Sequence, residues 1–116
     1  MFQIPAFMLK QMYVASSLRN TETGFRFAVC NPFVDGTVTG VLKVAMDGEI
    51  FDLGRVKAAG WPADSVTAEA PLNFPRGAEL EVEVDSVPLP EGRHNLYIKV
   101  DTSEFGALKV DVFDRI

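Results

Sequence analysis

Apolar and polar positions alternate with a period of two along most of the chain. The clearest run is Glu79 to Asp85. Leu80, Val82 and Val84 point one way while Glu79, Glu81, Glu83 and Asp85 point the other, as a half-buried β-strand requires. The beat returns after Gly92 with Leu96, Ile98 and Val100, and after Gly106 with Leu108, Val110 and Val112. These three runs predict strands, the last two joined as hairpin partners through Asp101 to Gly106. Upstream, Phe25, Phe27 and Val29 alternate with Arg26, Ala28 and Cys30, and Lys10 to Leu18 is expected to be the strand that precedes them. The polar stretch from Arg19 to Gly24 reads as the turn between the two, with Gly24 placed to take a positive φ.

Asn31-Pro32 ends that strand, and Asp35-Gly36 marks a turn before an extended run from Thr37 to Met46. Asp47-Gly48 is the strongest hairpin signal, because both central residues of a type I′ turn need positive φ. Glu49 to Leu53 should therefore pair back on Val41 to Met46. From Gly54 to Asp64 the alternation is lost and an irregular loop is expected, followed by a weak strand from Ser65 to Ala70. Pro71, Pro75 and Gly77 enforce a bend. The proline-rich connection Ser86 to Arg93 is too long for a tight hairpin and fits a crossover between sheets. The sum is an all-β chain of about seven or eight short antiparallel strands with no internal repeat, an immunoglobulin-like β-sandwich forming a single domain over residues 1–116.

Composition narrows the partners. At 47% apolar residues the chain can bury one two-layer core. Sixteen acidic against eleven basic side chains leave a formal charge of -5, which repels phosphate backbones, so no nucleic acid is expected. No apolar run approaches the roughly 18 to 20 residues that span a bilayer, so no membrane is expected. The start of the chain carries no basic region ahead of its apolar residues, and a cytoplasmic protein is expected.

Candidate chemistry is sparse. Cys30 is the single cysteine and His94 the single histidine, so neither a multi-histidine metal centre nor a paired-cysteine site can form within one chain. The acidic ladder at Glu79, Glu81, Glu83 and Asp85 spaces its carboxylates about 7 Å apart, too far to wrap one cation. It reads as a solvated face, with Lys43, Lys99 or Lys109 expected opposite on neighbouring strands. No catalytic residue, metal or cofactor is expected. The residues singled out for an interface are Phe2, Ile4, Phe7, Trp61 and His94. Phe2, Ile4 and Phe7 belong to an apolar amino-terminal stretch that must be covered, by an open edge of its own sandwich or by another subunit. Pro5 opposes a regular helix there. Trp61-Pro62, near Arg55 and Lys57, suits a contact surface or a core plug. His94 suits a structural corner, bonding the backbone of the preceding loop, or a subunit contact.

Ser17-Leu18-Arg19-Asn20, Gly24-Phe25-Arg26-Phe27, Pro32, Asp47-Gly48-Glu49 and Leu89-Pro90-Glu91-Gly92-Arg93-His94, taken in order, resemble the small β subunit of bacterial C-glycoside deglycosidases. The resemblance implies a sandwich subunit packed on a larger, metal-containing barrel subunit. Phe33-Val34-Asp35-Gly36 and the stretch from Val110 to Ile116 depart from two motifs of that family, so the substrate does not carry over. The expectation is an accessory or interaction subunit of a heteromeric enzyme complex, not catalytic on its own. The alternatives are a self-associating structural sandwich, a homo-oligomer, and a small-ligand or carbohydrate-binding module built around Trp61.

Overall fold

The computed structural model describes residues 4–116. After one helical turn, α1 (Ala6–Leu9), come ten strands in chain order: β1 (Arg19–Thr21), β2 (Gly24–Cys30), β3 (Gly36–Met46), β4 (Glu49–Ile50), β5 (Val56–Ala58), β6 (Trp61–Pro62), β7 (Leu72–Phe74), β8 (Glu79–Asp85), β9 (Arg93–Thr102) and β10 (Gly106–Arg115). They form two sheets, ordered β1-β2-β8-β5-β6 and β10-β9-β3-β4, with β7 pairing the start of β3. Every pairing is antiparallel. The all-β sandwich is therefore the fold, and β4 and β6 are the pieces too short to leave a period in the sequence.

Alternation places the core as the sequence implies. Phe25 and Phe27 from the first sheet face Val44, Met46, Leu96 and Ile98 from the second, all buried, with Val82, Val84 and Val110 completing the layer. The connection after β8 crosses from one sheet to the other, and β9 and β10 pair over their full length. Asp47 and Gly48 take φ of 53° and 85°, the type I′ geometry that joins β3 to β4.

The stretch from Arg19 to Gly24, read as a turn, holds strand β1, which pairs with β2 from Arg19 opposite Arg26 to Thr21 opposite Gly24. Three further stretches differ from the sequence reading, each for a local reason. Lys10 to Leu18 is not a strand. Lys10–Met12 is a 3-10 turn, Tyr13 alone bridges Val29, and Ser16 at φ 63° breaks the extension. Leu9, Met12 and Tyr13 sit at i, i+3 and i+4, a helical spacing that packs them inward and overrides β propensity. The segment Gly54 to Asp64 is not irregular. Ala59 and Gly60, at φ 52° and 83°, make a second tight turn between β5 and β6, without the Asn or Asp that signals one. The strand expected over Ser65 to Ala70 lies instead at Leu72–Phe74. The Thr67 hydroxyl accepts the Ala70 N–H at 3.1 Å and closes a local turn that competes with pairing.

Gly24 also differs in its role. Its φ is not positive; it is glycine because of what lies beside it. A Cβ there would stand 1.9 Å from the Val84 carbonyl oxygen and 2.7 Å from the Ser86 nitrogen. Gly24→Ala should therefore cost about 3 kcal/mol or prevent folding, by prising β2 from β8. At Gly48, where a Cβ meets nothing within 4 Å, alanine should cost only about 1 kcal/mol for the φ. Urea unfolding of the two variants separates these outcomes.

Candidate functional site

His94 opens β9 with its side chain on the inward face, and only 5% of the residue is exposed. Its Nδ1 lies 2.6 Å from Asp47 Oδ2 and its Nε2 lies 2.7 Å from the Pro90 carbonyl oxygen. Both partners present acceptor oxygens, so the two bonds are made together when both ring nitrogens carry hydrogen, in the imidazolium form. The Asp47 hydrogen bond first, then that to Pro90, raises the His94 pKa against the opposing effect of burial. Burial works against ionisation of Asp47, but the hydrogen bonds from His94 and the Asn95 N–H outweigh it and hold the carboxyl below its ordinary value. The second Asp47 oxygen accepts that Asn95 N–H at 2.8 Å. His94 thus fixes the β3–β4 turn and the proline-rich crossover to the start of β9. Both of its ring nitrogens are engaged within the chain.

The remaining interface candidates are dispersed. Phe2 lies outside the described residues. Ile4 is part-buried, while Phe7 stands 71% exposed on α1, which packs along β10. Trp61 lies on β6, the far edge of the first sheet, and is 63% exposed, so it does not plug the core. It borders a shallow groove with Pro62, Val66, Pro71 and Leu72. Cys30 donates to the Gln11 carbonyl at 3.3 Å, and burial, then the Glu79 charge, raises its pKa, so the thiol stays protonated. Among the described residues no three His, Cys, Asp or Glu side chains converge on a metal-sized site.

A face that the chain order hides is assembled by the second sheet. Lys43, Lys99 and Lys109 do not oppose the acidic ladder, which lies on β8 in the other sheet beside Arg26 and Lys57. Instead they stand in one register row, Lys109 opposite Lys99 and Lys99 opposite Lys43, on the outward side of β10, β9 and β3. Neighbouring strands lie about 4.8 Å apart, so like charges in such a row repel and cost stability. Tyr97 faces the same side and takes the Lys43 ammonium 5.1 Å from its ring centre. Arg93 covers the Phe113 ring at 3.9 Å. Phe113 and Ile50, which the registers place on this side, are 57% and 62% exposed. Aromatic, aliphatic and guanidinium groups in one patch are the composition of a protein contact. The signal was present as Tyr97, Lys99 and Lys109 at outward positions, but only the register shows that the lysines align.

The family described as "Hydroxymethylglutaryl-CoA reductase, N-terminal domain" matches residues 8–116. The chain belongs to that family. This overturns the likeness to the C-glycoside deglycosidase β subunit, whose short motifs are turn and strand-end sequences that any sandwich with these corners can share. No curated protein matches the chain.

The Asp47–His94 pair predicts a pH dependence. His94 has a folded value above its ordinary 6.5, so its contribution is full below about pH 6.5 and is lost as pH rises through the raised value. Asp47 has a folded value below its ordinary 3.8, so its contribution is present above about 3.8 and is lost as pH falls through the lowered value. Thermal unfolding should show greatest stabilisation by the pair between those limits. In His94→Gln the alkaline decline should disappear and the midpoint at pH 5.5 should fall.

Proposed function

We propose, from its place in the hydroxymethylglutaryl-CoA reductase N-terminal domain family, that this sandwich is an accessory interaction module of a larger enzyme. It docks the outer face of its lysine-bearing sheet on an acidic surface of the catalytic body, whether that body continues the same chain or is a separate subunit. The observation that carries the reading is the aligned row Lys109, Lys99 and Lys43 beside Tyr97, Phe113 and Ile50. An isolated sheet gains nothing from three ammonium groups in register, whereas an acidic partner relieves their repulsion and buries the adjoining rings. The family description supplies the class of enzyme, a reductase named for hydroxymethylglutaryl-CoA. No helix among the described residues is long and apolar enough to cross a membrane. We place the module in the cytoplasm, where its one unpaired thiol suits a reducing compartment.

A second reading rests on Trp61, whose exposed ring beside the Pro62–Pro71 groove could stack a small ligand such as a sugar. Trp61→Ala would abolish ligand-induced fluorescence change if that groove is the site.

The docking reading is tested by acetylating surface lysines in the module alone and in its complex with the reductase body. Lys43, Lys99 and Lys109 should be protected in the complex, and Lys99→Glu should weaken association by at least about tenfold, some 1.4 kcal/mol, with the loss shrinking as salt is raised. Equal acetylation in both states, protection at the Trp61 edge instead, or self-association with no affinity for the body would overturn it.

A further inference from the structure

The two sheets do not fill the space between them. A hollow of about 80 Å³ lies at the seam of the core, lined by residues that include Val38, Val41, Leu80, Ile98 and Val100. On one side is the main cluster around Phe25 and Phe27; on the other is a smaller one of Val38, Val66 and Phe74. Met12, Val29, Val41 and Val100 pack against both clusters and also form the wall.

The cause lies in β3. Its register shifts between Val38 and Gly40 and again between Val41 and Lys43, and such bulges bend a strand away from regular packing. The wall is dominated by valines, which hold one χ1 state and cannot swing to fill a gap as leucine or methionine can. Thr102 is the one lining residue with a polar side chain, and its hydroxyl is already engaged by the Gly106 carbonyl at 2.9 Å and the Phe105 N–H at 3.0 Å. A water molecule here would find no free donor or acceptor, so the hollow stays dry.

We propose that this hollow is a binding site for a small uncharged hydrocarbon group of about three carbon atoms, because an apolar cavity of roughly 150 Å³ takes up benzene and this one has about half that volume. Charged and hydrogen-bonding groups are excluded, since the wall offers nothing to replace their hydration. Access runs past Met12, a flexible thioether chain on the 3-10 turn, next to Val29 and Leu80. Met12 and Leu80 are both part-exposed, and Tyr13 bridges Val29 directly behind them. The site uses the interior of the sandwich, so it stands or falls separately from the docking face.

The test is a titration of the whole chain with cyclopropane, read on the side-chain methyl resonances. Saturable shifts confined to Val41, Leu80, Ile98 and Val100, with a raised unfolding midpoint, are expected. Ala58→Leu, which fills the hollow, should weaken the response at least tenfold while the strand-pairing signals persist; if that variant fails to fold, Val41→Leu gives the same reading. Absence of saturable shifts in the unaltered chain, shifts spread over the surface, or an undiminished response in the filled variant would overturn the proposal.

Discussion

Asp114 holds the two ends of the chain together. Its carboxylate accepts the Tyr13 hydroxyl at 2.5 Å and the Leu18 N–H at 3.2 Å, which ties the amino-terminal segment to the last strand. Burial opposes the charge on Asp114, but these donors, with the Arg115 N–H, hold its pKa below the ordinary range. Burial, and then the bond to Asp114, raises the Tyr13 pKa, so the phenol remains a donor at any physiological pH. Because the Tyr13 backbone also bridges Val29 on β2 while its hydroxyl reaches Asp114 on β10, a single residue links the first sheet to the β10 edge of the second. An ionised acceptor makes such a bond stronger than a neutral one. Without it, the flank between β2 and β10 would lie open and Met12 would have no fixed place against the core.

The same clasp organises the polar groups nearby. Cys30 is occupied by the Gln11 carbonyl, and the Ala28 N–H is taken by the Ser17 hydroxyl at 3.0 Å. Among the described residues, α1 and the 3-10 turn after it lie against β10, while Phe7 is left facing outward. At the opposite end of the long strands, His94 plays a comparable part by joining a turn, a crossover and a strand through two ring nitrogens. Both clasps use the few polar groups that sit among apolar ones, and both are fully satisfied, as buried polar groups must be.

The two outer faces carry different burdens. On the first sheet the acidic ladder is relieved within the sheet, since Arg26 reaches Glu81 at 3.4 Å and Lys57 lies opposite Glu83. On the second, the lysine row has only the Tyr97 ring and the flanking Asp101 and Asp111 on the same face. The second face thus carries a row of like charges with exposed rings beside it, where the first pairs opposite charges.

Local pattern by itself determined the class of fold, because a period of two forces alternate side chains to opposite sides and a half-apolar strand must hide one of them. It determined the hairpin at Asp47-Gly48, where the backbone conformation restricts the residue, and the long pairing of β9 with β10. It could not reveal the helical turn at Leu9 to Met12, whose spacing counts only once Asp114 is known to wait across the flank. Nor could it reveal the β5–β6 turn, where Ala59 takes a conformation that its side chain does not favour. The fate of the interface residues was decided in three dimensions. His94 went inside because Asp47 and Pro90 supply acceptors on both sides of the ring, and Lys43, Lys99 and Lys109 became neighbours because register, which spans most of the chain, aligned them.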